Sequence, residues 1–346
     1  MGANRRDFLR LVGWGAAGAA ARPLVARAER IRILGGGDPD AFLALGHVSP
    51  DFRRFLAGVR VGQAKAHGPI VVFWLYGEGP ARALDVATLE EGRSRGDLLI
   101  TERDQATVPE LMVENRGKVH VLLLAGEILL GGKQNRVLRE DILLPPSSGP
   151  RNIGVYCVEQ GRWAGRSKDF EAKGTFAAPT LRSRVMQKAD QGRVWAEVDR
   201  YARAAAAPSP TRSYQEVYEN PEVQEHLKEV EQGIDHRAAA GALGGAVFVG
   251  QALAGMDLFH ESGLFAREWP KLLRAHALEA YRQPRQSAGD EGRLRARAQE
   301  ALAGAAKTEG VLRGNAGVGQ LFEFQVDPLR GSALVFEGRV VHTAIL

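Results

Sequence analysis

The spacing of apolar residues changes near residue 179, and this change constrains the fold more than any other feature of the sequence. Before residue 179, apolar runs have the length of a strand and end in turn residues; residues 69–75 form such a run, closed by Gly-Glu-Gly-Pro. After it, apolar residues recur at helical spacing, as in residues 193–204. This order predicts an α+β fold: a β-rich N-terminal half, built as a sandwich or barrel-like sheet, followed by a mixed half of helices and strands.

Local signals in the second half predict individual elements. Ser213 and Glu216 have the spacing of a capping box, which predicts the start of a helix. Residues 242–259 predict two strands joined by a turn. Residues 264–282 predict a helix in which Pro270 is expected to cause a bend or a new start.

The first 28 residues predict a twin-arginine signal peptide. Arg5 and Arg6 precede Phe8-Leu9, a short apolar run follows over residues 11–21, and residues 26–28 form a small-x-small cleavage site. The run has about half of the ~20 residues that a membrane-spanning helix needs, so we expect no stable membrane anchor. The alternative is an amphipathic N-terminal helix that is retained.

This leader defines the expected organisation and location of the protein. We expect the leader at residues 1–28, a β-rich lobe at 29–165 and an α+β lobe at 166–346, with the two lobes either separate or one continuous domain. The leader predicts a periplasmic or otherwise exported protein, with the twin-arginine export machinery as a partner. The single cysteine, Cys157, excludes an intrachain disulfide.

The charge of the chain argues against nucleic acid as a partner. The 46 Lys and Arg residues exceed the 41 Asp and Glu residues by five. Removing residues 1–28 takes away five arginines and one aspartate, which leaves 41 basic against 40 acidic residues. Because the basic excess lies almost wholly in the leader, we expect the exported protein to bind no nucleic acid.

The sequence shows no recognisable metal or cofactor motif. The eight histidines include no H-x-H, HExxH or H-x-x-E-H spacing, and the presence of a single cysteine argues against a structural zinc site. We therefore predict no metal site. The glycines at 314, 317 and 319 lead into a strand-like segment rather than a helix, so they are not a dinucleotide fingerprint. Whether the protein uses a cofactor is unknown from the sequence.

Two polar segments are the candidate functional sites. After Gly131-Gly132, four consecutive side chains can contact a ligand, and backbone amides of the glycine turn can contribute to an anion site. The second segment follows a predicted strand over residues 153–158. The ligand-binding candidates are Lys133, Gln134, Asn135, Arg136, Gln160, Arg162 and Trp163, and the catalytic candidates are Glu127, Glu159 and Cys157.

Each candidate also has a structural interpretation. The two segments can be polar turns with internal salt bridges. Cys157 can be a nucleophile if a nearby cation such as Arg162 lowers its pKa. It can equally be a core residue, because it alternates with Ile153 and Val155 on one strand face. The alternation favours burial.

The spacing of the two segments predicts that they meet. Lys133 and Gln160 are nearly equidistant from the turn residues Pro145-Pro146. Residues equidistant from a hairpin turn lie opposite each other, so we expect the two segments to meet at the same sheet end and Lys133, Arg136 and Arg162 to converge on one pocket there.

These segments resemble a known family. Gly126-Glu127 followed by Gly-Gly-Lys-Gln-Asn-Arg, and Cys-Val-Glu-Gln-Gly-Arg-Trp from Cys157, are similar to the ARG and rhodanese-phosphatase-superfamily-associated protein domain, a family of unknown function. Residues 256–259 and 264–273 resemble its second half, so the resemblance covers about residues 45–345. The family name records association with ADP-ribosylglycohydrolases, which implies a role near ADP-ribose or related phosphorylated nucleotides.

Two functions follow as hypotheses. The first is an exported protein that binds a small anionic ligand, such as a nucleotide, an ADP-ribose-like molecule or a sugar phosphate, and that either hydrolyses it or only binds it. The second is a non-catalytic scaffold or partner-binding protein whose polar segments form an internal salt-bridge network. Side chains that line one solvent-exposed cleft favour the first, and side chains that pair in the interior favour the second.

The leader generates the first testable prediction. The exported protein should begin at or near Glu29, and replacing both Arg5 and Arg6 with lysine should leave an unprocessed precursor in the cytoplasm, because the export machinery reads the arginine pair. Mass spectrometry of the periplasmic fraction checks this prediction. A periplasmic product that still begins at Met1 would contradict it.

Overall fold

The computed structural model describes residues 49–79, 83–102, 109–162, 165, 167–207, 210–283 and 287–346, and all structural statements here concern these residues. The predicted leader and Trp163 lie outside them. Within this part of the chain, the helices are α1 (Pro50–Ala57), α2 (Leu89–Ser94), α3 (Pro179–Met186), α4 (Gln191–Ala204), α5 (Tyr214–Glu219), α6 (Pro221–Val230), α7 (Ser262–Tyr281) and α8 (Glu291–Lys307). A π-helical turn, Glu231–Asp235, continues α6.

The strands in the same part of the chain form three sheets. They are β1 (Arg60–His67), β2 (Ile70–Tyr76), β3 (Val86–Ala87), β4 (Leu98–Thr101), β5 (Glu110–Asn115), β6 (His120–Leu123), β7 (Glu127–Gly131), β8 (Arg136–Leu138), β9 (Ile142–Leu144), β10 (Gly149–Cys157), β11 (Phe170–Phe176), β12 (Gly244–Val249), β13 (Ala252–Phe259), β14 (Gly310–Gly314), β15 (Gln320–Val326), β16 (Leu329–Phe336) and β17 (Arg339–Ile345).

The order of these elements confirms the α+β prediction. Of the described elements up to residue 165, ten are strands and two are helices, whereas the later part combines seven strands with six helices. The largest sheet has the order β1-β2-β12-β13-β17-β16-β15-β14, a second has the order β11-β7-β8-β10-β5-β4, and a third has the order β3-β6-β9. Because β1 and β2 pair into a sheet with strands that follow residue 240, the two expected lobes share this sheet.

Strand β2 shows how helices cover both faces of the large sheet. Its residues Ile70 to Leu75 are buried without a polar interruption. Ile70, Val72 and Trp74 pack in one cluster with residues of α7, and the alternate residues of the strand pack in another with residues of α1 and α8. A continuous apolar run is the pattern of a strand that is buried on both faces, which explains the sequence of residues 69–75.

Several local predictions are confirmed, and one is wrong. Strands β12 and β13 form the expected antiparallel pair, in which Val249 lies opposite Ala252. Helix α7 runs through Pro270 without ending. Ser213 is the N-cap of α5, as predicted, but the capping-box hydrogen bond is wrong: within the described residues its side chain makes no capping hydrogen bond to α5, and its hydroxyl accepts from the Asn135 amide at 3.1 Å. None of the helices in the described ranges is long and apolar enough to cross a membrane.

A buried charge network connects the large sheet to the segment before β9. The His342 ring on β17 lies between two carboxylates, 2.6 Å from Asp141 Oδ2 and 3.1 Å from Asp257 Oδ1. Arg182 of α3 forms an ion pair of 2.7 Å with the same Asp257 oxygen. Burial disfavours the charged ring, but the attraction and hydrogen bonds of the two carboxylates outweigh it and raise the pKa of His342 to about 9. His342 is therefore positively charged at neutral pH.

This network generates a prediction for His342→Gln. We expect the variant to lose roughly 3–5 kcal/mol of unfolding free energy at neutral pH, because buried carboxylates lose their charged partner. The stabilisation by His342 is fully present below the unfolded-state pKa of about 6.5 and is lost as the pH rises through the folded-state pKa of about 9. The difference between wild type and variant should therefore shrink between pH 7 and pH 10.

Urea unfolding across this pH range measures that difference. The control is His236→Gln, whose ring is largely exposed and should contribute little at any pH. An unfolding free-energy difference for His342→Gln that stays constant up to pH 10 would contradict the charged state assigned to His342.

Candidate functional site

A tight turn between β6 and β7 presents Glu127. Gly126 has φ +102°, a conformation that L side chains rarely adopt, and a Cβ there would lie 3.0 Å from the Arg182 side chain and from the Phe176 ring. The Glu127 carboxylate turns back and accepts a hydrogen bond from the Leu124 N–H at 3.0 Å. The Gly-Glu pair thus fixes both the backbone and the carboxylate of this turn.

Charged side chains from distant elements hold the same turn. Asp141 accepts from the Ala125 N–H at 2.9 Å, and Arg182 Nε donates to the Ala125 carbonyl at 2.7 Å. Since both side chains also belong to the His342–Asp257 network, the large sheet and the turn are held by one set of charges. This arrangement fixes where Glu127 points.

Glu127 points to a buried lysine that three glutamates surround. Lys271 on α7 contacts the Glu127 carboxylate, and its Nζ lies 3.0 Å from Glu90 and 2.7 Å from Glu268. Glu268 precedes Lys271 by one helical turn, and Glu90 lies in the first turn of α2. Glu127, Glu268 and Lys271 are buried, whereas Glu90 is partly exposed. We call Glu90, Glu127, Glu268 and Lys271 the floor cluster.

The floor cluster contains more negative than positive groups. Burial, which disfavours the charged carboxylates, raises the pKa of both Glu127 and Glu268 above their usual range. Burial also opposes the charge of Lys271, but the three carboxylates outweigh it and raise its pKa. The lysine is therefore a permanent ammonium, which excludes a neutral lysine nucleophile at this position.

Glu90 and Lys271 of the floor cluster line a cleft of about 720 Å³, and the buried Glu127 and Glu268 contact Lys271. Pro270 has no N–H, so the carbonyl of Ala266 cannot receive its helical hydrogen bond, and both residues line the cleft. The walls come from α2, β11, α5, α6 and α7. The lining residues are Thr88, Glu90, Glu91, Lys173, Gly174, Thr175, Gln215, Tyr218, Glu219, Gln224, Ala266, Arg267, Pro270, Lys271 and Arg274.

The two predicted polar segments meet elsewhere, in the interior. Strand β8 pairs with β10 so that Arg136 lies opposite Cys157, and the same register extended by three residues places Lys133 opposite Gln160. Gln134 donates to the Glu159 carbonyl at 2.8 Å. The structure thus brings the segments to one sheet end.

Arg162 is the centre of this polar network. Its guanidinium donates to both carboxylate oxygens of Glu159 at 2.9 and 2.7 Å and to the carbonyls of Gly131 and Gly132 at 3.1 and 2.6 Å. It also donates to Asn135 Oδ1 at 3.2 Å. Burial opposes the charge of Glu159, but the hydrogen bonds from Arg162 and Asn135 hold the pKa of Glu159 below its usual range. The charges of Glu159 and Arg162 therefore compensate each other.

Cys157 and Arg136 lie beside this network. The Cys157 thiol is fully buried and donates to Gln134 Oε1 at 3.1 Å, and Arg136 donates to the same amide oxygen at 3.3 Å. Burial raises the pKa of the Cys157 thiol although the Arg136 charge opposes this effect. A protonated, buried thiol fits core packing better than nucleophilic catalysis.

The remaining candidates lie at the edge of the polar network. Lys133 is exposed, and its N–H donates to Glu102 at 2.7 Å. Gln160 is half-buried and accepts from Arg212 at 2.8 Å. Trp163 lies outside the described residues. Glu127 does not line the cleft itself, but it contacts Lys271, which does.

Sequence reasoning missed the other members of the floor cluster. Glu268 and Lys271 lie between the apolar residues of α7, a position where charged residues are rarely buried unless paired. That pattern is a usable signal for a buried ion pair. Glu90 carries no such signal, because it lies in the acidic first turn of a short helix, where glutamate is common.

Comparison with known proteins identifies the family. The ARG and Rhodanese-Phosphatase-superfamily-associated Protein domain matches residues 58–346, and the chain belongs to this family. No curated protein and no solved structure matches the chain.

The polar network generates a prediction for Cys157→Ser. We expect the variant to fold and to lose about 1–2 kcal/mol of unfolding free energy, since the serine hydroxyl can donate to Gln134 but is costlier to bury than a thiol. Wild-type Cys157 should also resist iodoacetamide until the protein unfolds. Urea unfolding and mass spectrometry of alkylated protein measure these effects.

The comparison variant is Gln134→Leu. It removes the acceptor of both the thiol and Arg136, so it should destabilise the protein more than Cys157→Ser does. Rapid alkylation of the native protein would show that the thiol is accessible and reactive.

Proposed function

We propose that this protein binds a small anionic ligand, of the nucleotide, ADP-ribose-like or sugar-phosphate class, in the cleft above the floor cluster. The observation that carries the proposal is a cleft of about 720 Å³ whose lining includes Glu90 and the buried Lys271, which two further buried glutamates contact. Small-molecule sites usually have volumes of about 300–1,000 Å³ and a few convergent polar groups. The family's association with ADP-ribosylglycohydrolases is consistent with such a ligand.

Three cations on the walls support the anionic class of the ligand. Lys173 is an exposed residue of β11, and Arg267 and Arg274 project from α7. Arg267 pairs with Glu91 at 3.3 Å and Arg274 with Glu231 at 3.1 Å, and these contacts orient the two guanidinium groups. Guanidinium groups bind phosphates through paired hydrogen bonds. A phosphate on the cleft wall would therefore have oriented donors.

The ligand's anionic groups belong on the walls rather than in the polar network of Arg162. Lys133, Arg136 and Arg162 were the expected binding cations, but Arg136 and Arg162 are buried and hydrogen-bonded to neighbouring protein groups. Binding there would require exchanging these bonds for ligand contacts. In the cleft, the cations already line an open space.

If the protein hydrolyses its ligand, the reaction takes place at the floor of the cleft. Water attacks the ligand, the bond to the leaving oxygen breaks, and the proton lost by the water passes to the leaving group. Glu127 lies at the floor and Glu159 lies in the polar network, so Glu127 is retained as the candidate catalytic carboxylate and Glu159 is not. The Lys271 ammonium supplies positive charge for an oxygen that becomes negative.

A specific observation also favours the scaffold function. Gln134, Asn135, Glu159 and Arg162 satisfy one another in the interior, as expected for a structural network. We therefore assign the polar segments a structural role, whether the protein binds a ligand or acts as a scaffold. Export through the twin-arginine pathway remains part of the proposal and is supported by the pattern of residues 1–28.

Ligand binding is tested by calorimetric titration of the protein, lacking residues 1–28, with ADP-ribose, AMP and ribose 5-phosphate. We expect at least one to bind, and Lys173→Ala to weaken it about tenfold, equivalent to ~1.4 kcal/mol, because a charged contact to phosphate is lost. Differential scanning fluorimetry should show that the unliganded variant keeps the wild-type melting temperature, since Lys173 is exposed.

Lys118→Ala is the matched control. Lys118 is also exposed but does not line the cleft, so its removal should leave the affinity unchanged. Equal weakening by both variants would indicate non-specific charge attraction. Absence of binding for all three compounds would favour the scaffold function.

A further inference from the structure

We infer that Glu90, Glu127 and Glu268 bind a divalent cation at the floor of the cleft, beside the ammonium of Lys271. One carboxylate oxygen from each glutamate lies within 4.8 Å of the other two. A single cation can contact three oxygens at this separation, because oxygen ligands bind Mg²⁺ at about 2.0–2.1 Å and Ca²⁺ at about 2.3–2.6 Å. The three glutamates come from α2, β7 and α7, so the fold rather than one segment assembles the group.

The hydrogen bonding of Glu268 provides independent support. This side chain is completely buried, yet neither carboxylate oxygen accepts a hydrogen bond from the described residues. Its Oε2 lies 2.7 Å from Lys271 Nζ without hydrogen-bond geometry. Buried carboxylate oxygens normally have hydrogen-bond partners, so the carboxylate of Glu268 is available to bind a cation.

The charge balance of the cluster indicates the charge of that ligand. Three carboxylates and one ammonium leave an excess of two negative charges when all four groups are ionised. Burying uncompensated charge costs several kcal/mol per ion, and Lys271 can offset only one of the three. A divalent cation would neutralise the excess.

The donor set indicates the chemical class of the cation. All three donors are carboxylate oxygens, which suit hard cations such as Mg²⁺, Mn²⁺ and Ca²⁺ rather than a cysteine- or histidine-bound zinc. Glu90 lines the cleft and is partly exposed, so the cation can enter from the cleft and keep water molecules on that side. Mg²⁺ usually keeps several of its waters in protein sites.

The cation site does not depend on the proposed anionic ligand, although the two are compatible. With the cation bound, the floor becomes neutral and the cations of the walls can attract the ligand. Metal binding is therefore measured on its own, with no anion present, so that either proposal can fail separately.

In the experiment, the EDTA-treated protein is titrated with Mg²⁺, Mn²⁺ or Ca²⁺. Binding is measured by calorimetry and by the change in melting temperature. We expect one ion per chain and a melting temperature that rises with the concentration of metal, up to about 10 mM for a site with a millimolar Kd. Glu268→Gln should abolish this rise. Its metal-free form should melt at or above the wild-type temperature, because a buried charge is removed without a change in shape.

Glu91→Gln is the matched control. Glu91 is adjacent to Glu90 on α2 but pairs with Arg267, so this variant should keep the metal-dependent rise. A wild-type protein with no saturable binding of any of the three cations would overturn the inference. So would unchanged binding by Glu268→Gln, or an equal loss in Glu91→Gln, because either result would place the cation elsewhere.

Discussion

Arg182 connects the parts of this structure on which the candidate site depends. Its guanidinium pairs with Asp257 of the large sheet and donates to the Ala125 carbonyl of the turn before Glu127. Its aliphatic part also lies 3.0 Å from the position that a Cβ of residue 126 would take. The position of Glu127 therefore depends on one buried arginine, whose partner Asp257 also accepts from the positively charged His342. Such a charge is tolerable in the interior only because its partners are fixed there too.

The polar network around Arg162 and the floor cluster differ in how completely their charges and hydrogen bonds are balanced. In the polar network, Arg162 donates to carboxylate, amide and backbone oxygens, so the charges and the hydrogen bonds balance. In the floor cluster, one ammonium serves three carboxylates, and Glu268 accepts no hydrogen bond from the described residues. A satisfied network stabilises a fold, whereas an incomplete one beside a cleft has binding capacity left for a ligand. This difference is why we place the function at the floor cluster.

The sequence predicted more of the fold than of the site. The change of periodicity near residue 179, the β12–β13 pair and the α7 segment all correspond to observed elements. The equal distances of Lys133 and Gln160 from the proline turn match the observed register of β8 and β10. The helix start at Ser213 was predicted correctly but its capping hydrogen bond was not, because a local pattern cannot reveal that Asn135, distant in sequence, uses the hydroxyl. The floor cluster escaped prediction for the same reason, since its members come from three separate elements.

By itself, the sequence determined the α+β order of elements, the meeting of the two polar segments and the family. These properties depend on periodicity, turn residues and motifs, which are local. Only the tertiary structure decided which charges are compensated: Arg162 is paired with Glu159, whereas Glu127 shares Lys271 with Glu90 and Glu268. The physical reason is that the state of a buried charge depends on all groups within a few ångströms, and chain folding brings those groups together from distant positions.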